Sequence, residues 1–212
     1  MIITATERRN AMIAGVLAMA VIVTASNILV QHLLGDWLTW GAITYPFAFL
    51  VTDLTNRVLG VRAARHVVLS GFAVGVACSL VASQLTGPEG FPLTTLRIAI
   101  GSGVAFLAAQ MLDVGLFDRL RAGSWWRAPL VSSFFGSLLD TFLFFSIAFS
   151  ATLIWIDPGE PNVWARESVP FLGSGPVLPL WVTLATADFG AKMALALAAL
   201  APFRLVVGLV RG

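Results

Sequence analysis

Six apolar runs, at about 11–33, 38–59, 66–86, 95–115, 129–154 and 177–201, each reach the roughly 20 residues that an α-helix needs to cross a bilayer. Only Asp53, Arg57, Arg97, Asp113, Asp140, Asp188 and Lys192 bring charge into them; every other charged residue falls between runs or beyond the ends. The composition agrees, with 58% hydrophobic and 11% charged residues. A soluble domain carries about 25% charge because its surface faces water. The expected fold is an all-α polytopic membrane protein, one integral domain over 1–212 with six transmembrane helices. The longer breaks, 87–94 and 157–176, are rich in Gly and Pro.

Orientation follows from the basic residues. Arg8 and Arg9 precede the first run, and Arg57, Arg62 and Arg65 lie at the junction of the second and third. Arg119, Arg121 and Arg127 join the fourth to the fifth, and Arg204 and Arg211 follow the sixth. The opposite side holds only Arg97 and Arg166. Because the Lys/Arg excess stays in the cytoplasm, both termini are expected there, in a bacterial inner membrane. Arg8 and Arg9 before an apolar stretch resemble a signal peptide, but the run continues to Leu34 and reads as an uncleaved first helix. Trp37, Trp40, Trp155, Trp164 and Trp181 fall at outer helix ends and Trp125 and Trp126 at an inner one, as in an interfacial belt.

An ionisable side chain near the bilayer centre costs about 2.5–3.5 kcal/mol on insertion scales, so it marks a functional site by default. Asp140 lies near mid-depth in the fifth run. Asp188 and Lys192, four apart in the sixth, share a helix face and can pair. Asp53 and Arg57 form a second such pair near the cytoplasmic end of the second run. Together with Arg97 and Asp113 at the two ends of the fourth, they are expected to serve gating or structural ion pairing. Asn27 and Gln110 are the deepest amides, each with donors and an acceptor. Pro46 interrupts the hydrogen-bond ladder of the second run and frees the carbonyl of Ala42.

Ala25-Ser26-Asn27-Ile28-Leu29 and Ala108-Ala109-Gln110-Met111-Leu112 share one pattern. Phe47 precedes Asp53 by six residues, as Phe134 precedes Asp140. A three-plus-three inverted repeat would relate these positions and place a site between the halves. Catalysis finds little support. His32 and His66 stand at opposite membrane ends, Cys78 is alone, and there is no G-x-S-x-G, H-E-x-x-H or P-loop pattern. Neither an enzyme nor a metal or other cofactor is expected. The absence of a basic stripe with interleaved aromatics argues against nucleic acid.

The run YPFAFLVTDLTNRVLG (Tyr45 to Gly60) with Ala64-Arg65 resembles the signature of the bacterial queuosine-precursor transporters, also called the vitamin-uptake-transporter-like family. RIAIGSGVAFLAAQMLDVGLFDRLR (Arg97 to Arg121), Trp125-Trp126, APLVSSFFGSLLDTFLFFSIAF (Ala128 to Phe149), and Asp188 with Lys192 are similar to further blocks of it. The resemblance implies import of 7-deazaguanine bases used for tRNA modification. It also implies a fold similar to the substrate-binding subunits of energy-coupling-factor importers. A subunit of such a multi-component importer and a structural membrane subunit remain alternatives, and a homodimer stays open.

A 7-deazaguanine presents N1–H and an exocyclic amine, two parallel donors that suit a carboxylate. Asp140 is the first candidate for them and Asp188 the second. Gln110, Asn27 and Lys192 could serve O6 and N3, and Phe47 or Phe134 could stack on the ring. The expected partners are therefore a 7-deazaguanine-type small molecule and the lipid bilayer. Reporter fusions after residue 10, within 60–65, within 119–127 and at the C-terminus are expected to report cytoplasm, and those within 87–92 and 158–170 periplasm. A single reversed loop breaks the six-helix arrangement.

Overall fold

A computed structural model describes residues 4–87 and 90–211, with side chains described to Gly208; Pro88 and Glu89 of the 87–94 break lie outside it. Seven α-helices are described: α1 (Ala5–Leu29), α2 (Trp40–Thr44), α3 (Phe47–Leu59), α4 (Val61–Ala82), α5 (Leu96–Leu120), α6 (Arg127–Phe149) and α7 (Leu180–Arg211). Five of them, α1, α4, α5, α6 and α7, are long and apolar enough to cross a membrane. Side chains such as Leu17, Val21, Leu80, Phe142 and Leu205 stand exposed on their outer faces. That placement suits lipid, which is as apolar as they are. The chain is a multi-pass, mostly helical membrane protein.

The second apolar run differs from a single helix over 38–59. It is divided at Tyr45–Pro46 into α2 and the thirteen residues of α3. Pro46 has no N–H to donate to the Ala42 carbonyl. The chain resumes through Ala48 N to Tyr45 O (2.9 Å) and Phe49 N to Pro46 O (3.1 Å). At 1.5 Å per residue α3 alone spans about 20 Å, too little for a crossing. Gly41 lets α2 press on α1, since a Cβ there would sit 2.8 Å from the Ser26 carbonyl oxygen and the Val30 Cα.

Boundaries differ elsewhere too. α6 stops at Phe149, short of 154, and passes into 3-10 turns at Ala151–Ile156 and Asn162–Arg166. α4 starts at Val61, immediately after Gly60 at φ 91°. Two small antiparallel ribbons, Leu33–Leu34 with Leu38–Thr39 and Ser168–Pro170 with Val177–Pro179, tie down the loops. α5 and α6 pack along most of their lengths, helped by Gly136, whose absent Cβ would lie 2.7 Å from the Phe49 ring and 3.3 Å from the Asp113 Cβ. One apolar cluster joins α1, α3, α4 and α5 around Met19, Ala48, Val67, Val68, Phe106 and Val114.

The end of the bundle where α5 begins and α6 stops is fastened by charge. Arg97 of α5 is fully buried and donates from Nη1 to Glu160 (2.7 Å), from Nη2 to the Ser150 carbonyl (2.6 Å) and from Nε to the Ile147 carbonyl (2.9 Å). The Ile147 carbonyl lies in the last turn of α6 and Ser150 is its cap residue, so one side chain caps that helix and anchors the following segment. Arg166 (2.9 Å) and Asn162 (2.9 Å) complete the shell around Glu160. Arg97 therefore sits in a structural ion pair, whose partner the sequence did not single out. Removing one member of a buried pair strands the other, at a cost of about 3–5 kcal/mol. Glu160→Gln is expected to destabilise the purified chain by that order in thermal or denaturant unfolding. Arg166→Ala, at the less buried edge, is expected to cost about 1 kcal/mol or less, on the scale of an exposed pair.

Candidate functional site

α7 carries Asp188 and Lys192 one turn apart, and the Lys192 ammonium reaches across to α6. Its Nζ stands 2.5 Å from Asp188 Oδ2, 2.6 Å from Asp140 Oδ2 and 3.1 Å from Thr141 Oγ1. Thr141 donates in turn to Asp188 Oδ2 (2.7 Å), and Tyr45 donates its phenolic proton to Asp140 Oδ1 (2.9 Å). The ammonium also lies 5.5 Å from the centre of the Tyr45 ring, within cation–π range. Asp140, Asp188 and Lys192 are all buried. Two carboxylates against one ammonium leave the cluster richer in acceptors than in donors.

α3 and α5 share a second polar cluster, an inner one beyond Pro46 along α3. Thr52 donates to Gln110 Oε1 (2.7 Å), and Asn56 Nδ2 donates to the Val114 carbonyl (3.0 Å). Ser132 of α6 donates to Asp53 Oδ1 (3.4 Å), beside Asp113. Gln110 Nε2, Asn56 Oδ1 and both Asp113 oxygens are buried and meet no hydrogen-bond partner among the described residues. Arg57 donates to the Arg121 carbonyl (2.5 Å), linking α3 to the end of α5.

Two spaces flank these clusters. A cavity of about 530 Å³ lies between α1, α4 and α5, lined by Asn27, Phe72, Phe106, Ser79 and Thr95, with Tyr45 at its inner wall. A much smaller one, about 20 Å³, is lined by Pro46, Asp53, Ser133, Ser137 and Lys192, and so touches both polar clusters. The three charged candidates from α6 and α7 thus come together. Gln110 belongs to the cluster shared by α3 and α5 and Asn27 to the larger cavity, its amide donating to the Val23 carbonyl (2.9 Å). Phe47 and Phe134 are partly exposed and line neither space, and the Phe134 ring packs edge-on against Phe135 and Phe189. Tyr45 escaped the sequence reading as a site residue. Its signal was available: it is the only tyrosine in the chain and directly precedes the helix-breaking Pro46.

A family profile described as "Putative vitamin uptake transporter" matches residues 39–207, which include every residue of both clusters. The chain belongs to that family. The Queuosine precursor transporter of Escherichia coli is 39% identical over 157 residues, covering 68% of this chain and 71% of that protein. A "Probable queuosine precursor transporter" of Haemophilus influenzae is 41% identical over 138 residues, covering 60% of this chain and 57% of that one. A Bacillus subtilis protein of the same description is 28% identical over 135 residues, 56% and 59% of the two chains. The match thus spans little more than half the length of the Haemophilus and Bacillus relatives. No solved structure matches the chain.

The geometry ranks the buried trio by what each removal strands. Lys192→Met leaves two carboxylates without their cation and is expected to cost about 3–5 kcal/mol. Asp140→Asn keeps the Lys192–Asp188 pair and is expected to cost about 1.5–3 kcal/mol, the worth of a charge-assisted hydrogen bond. Thermal unfolding of both purified variants checks the order, and equal losses would contradict it.

Proposed function

We propose that the chain imports 7-deazaguanine bases, the precursors of queuosine, across a bacterial inner membrane. The observation that carries this reading is the acceptor-rich trio of Asp140, Asp188 and Lys192, joined through Tyr45 to the wall of a cavity large enough for a flat bicyclic base. The names of the relatives support the same substrate class.

In this reading the five long helices make five crossings, and α2 with α3 makes the sixth, broken where the substrate must pass. Both termini lie in the cytoplasm, in keeping with the arginines. The base enters the outer cavity and stacks against the aromatic wall of Tyr45, Phe72 and Phe106. Tyr45 then turns aside, and N1–H with the exocyclic amine takes its place on Asp140. Lys192, released from that carboxylate, donates to O6, and Asp188 keeps its ammonium charged throughout. Asn27 meets the base on entry and Gln110 on exit towards the cytoplasm, while Phe47 and Phe134 hold the ring once the halves have moved. The inverted repeat would make Asp53 the counterpart of Asp140. Asp53 borders the small cavity directly, and Asp140 reaches it through Lys192.

Empty and loaded states then differ in which donors occupy Asp140: Tyr45 and Lys192 when empty, the base when loaded. A site built on acceptors rejects a ligand that offers another acceptor, because its own buried groups go unpaired. In uptake assays with cells expressing the chain, unlabelled precursor base is expected to compete best, guanine less well and adenine hardly at all. Adenine competing as well as the precursor would remove the carboxylate model. Asp140→Asn is expected to lower affinity roughly ten- to a hundredfold, from the loss of about 1.5–3 kcal/mol of charge-assisted hydrogen bonding. Surface abundance measured in the same cells separates that loss from misfolding.

A further inference from the structure

Lys192 is the only lysine in the chain, and its ammonium directs its three protons to Asp188, Asp140 and Thr141. The three bonds are not equivalent. Lys192 Nζ, Asp188 Oδ2 and Thr141 Oγ1 form a closed triangle in which every edge is a hydrogen bond. Lys192 donates to Asp188 (2.5 Å) and to Thr141 (3.1 Å), and Thr141 donates to the same Asp188 oxygen (2.7 Å). Only a hydroxyl can close it this way, giving its own proton and accepting another. Asp140 stands outside the triangle. Its Oδ1 is held by Tyr45, at the break before α3, and its Oδ2 by the remaining proton of Lys192 on α7.

Thr141 does not do what a helical hydroxyl commonly does, which is to turn back to the carbonyl one turn earlier. Thr52 bonds in that way to Ala48 (3.0 Å), Thr55 to Val51 (2.7 Å) and Thr186 to Val182 (2.9 Å). Thr141, buried on α6, sends its proton across to a carboxylate of α7 instead. β-Branching leaves its χ1 few wells in a helix, so the hydroxyl stays aimed there. When Asp140 changes partners, Lys192 therefore gives up one bond of three and remains on the other two. Without the hydroxyl it would remain on one. A buried ammonium proton left unpaired is costly, so Lys192 would cling to Asp140 and compete with any ligand for it.

We propose that Thr141 is a positioning residue that holds the Lys192 ammonium to Asp188 while Asp140 exchanges its donors for those of the base. The exchange rests on the importer reading; the hold on Lys192 does not. Thr141 itself touches no substrate. It keeps the ammonium in one place in both states, so that Asp140 alone, and not the whole trio, reorganises when the base arrives. Its effect falls on binding, since binding is the step in which Asp140 changes donors.

The first test needs no substrate. When lysine is isotope-labelled at its side-chain nitrogen, Lys192 gives the single ammonium signal in magnetic resonance spectra of the full chain in lipid nanodiscs. The signal should stand at the same position in the wild type and Thr141→Ser and move in Thr141→Val, which keeps the shape but has no hydroxyl. A signal unmoved in Thr141→Val, or moved as far in Thr141→Ser, overturns the hold. The second test follows entry of the radiolabelled nitrile-bearing 7-deazaguanine base into proteoliposomes over a range of concentrations. The concentration for half-maximal entry should rise about tenfold in Thr141→Val, as for the loss of one hydrogen bond to a charged group, and stay near the wild-type value in Thr141→Ser. The maximal rate per inserted chain should be unchanged in both. A lower maximal rate at an unchanged half-maximal concentration, or a Thr141→Ser as impaired as Thr141→Val, overturns the positioning role and leaves the importer reading intact. If Thr141→Val does not insert, Thr141→Cys, whose thiol donates and accepts weakly, carries the same expectations. A wild-type chain that moves no base overturns the importer reading and the exchange with it, while the ammonium signal still decides what holds Lys192.

Discussion

The ammonium of Lys192 is the contact on which the inner architecture depends. It lies buried between a carboxylate of its own helix and one of the next, at 2.5 and 2.6 Å. A lysine deep in an apolar bundle is tolerable only with counter-charge, and Asp140 and Asp188 as carboxylates are tolerable beside it because they share that ammonium. Each therefore requires the other, and α6 and α7 are fastened where lipid-like packing alone would let them slide. The arrangement still carries one carboxylate more than it has ammonium. The surplus acceptor is met by the phenolic proton of Tyr45.

The break at Pro46 joins that surplus to the larger cavity through Tyr45. A straight helix over 38–59 would have carried Tyr45 on an unbroken cylinder, with all its backbone groups spent on the ladder. Pro46 withholds one donor, α2 leans onto α1 at Gly41, and Tyr45 ends up with its ring at the outer cavity and its hydroxyl on Asp140. The same interruption leaves Pro46 beside Asp53 and Lys192 at the small cavity. Tyr45 and Pro46, adjacent at this break, thus line the larger and the smaller cavity respectively.

The two ends of the bundle solve their charge problems differently. At one end Arg97 is matched by Glu160 and by carbonyls at the end of α6. At the other, Gln110, Asn56 and Asp113 keep buried polar atoms without partners among the described residues. Buried polar groups in native proteins are nearly always hydrogen-bonded, so this cluster is the costlier of the two.

Much of this was legible in the chain before any coordinates. Apolar runs of bilayer length fix the helical membrane architecture because backbone groups in lipid must be satisfied within their own segment. The depth of Asp140, Asp188 and Lys192 in those runs marked them as site candidates, since charge there is expensive enough to need a reason. Local spacing also paired Asp188 with Lys192, because four residues make one helical turn. What spacing cannot supply is which helix lies beside which. That Lys192 also reaches Asp140, 52 positions away, and that Arg97 meets Glu160 across 63 are facts of helix packing. Tyr45 became a site residue for the same reason: its phenol bonds a carboxylate 95 positions along the chain. Composition and periodicity determined the solvent this protein lives in and the residues that lipid forbids; only the tertiary structure decided which of those residues satisfy one another, because pairing across helices depends on distances that no local pattern encodes.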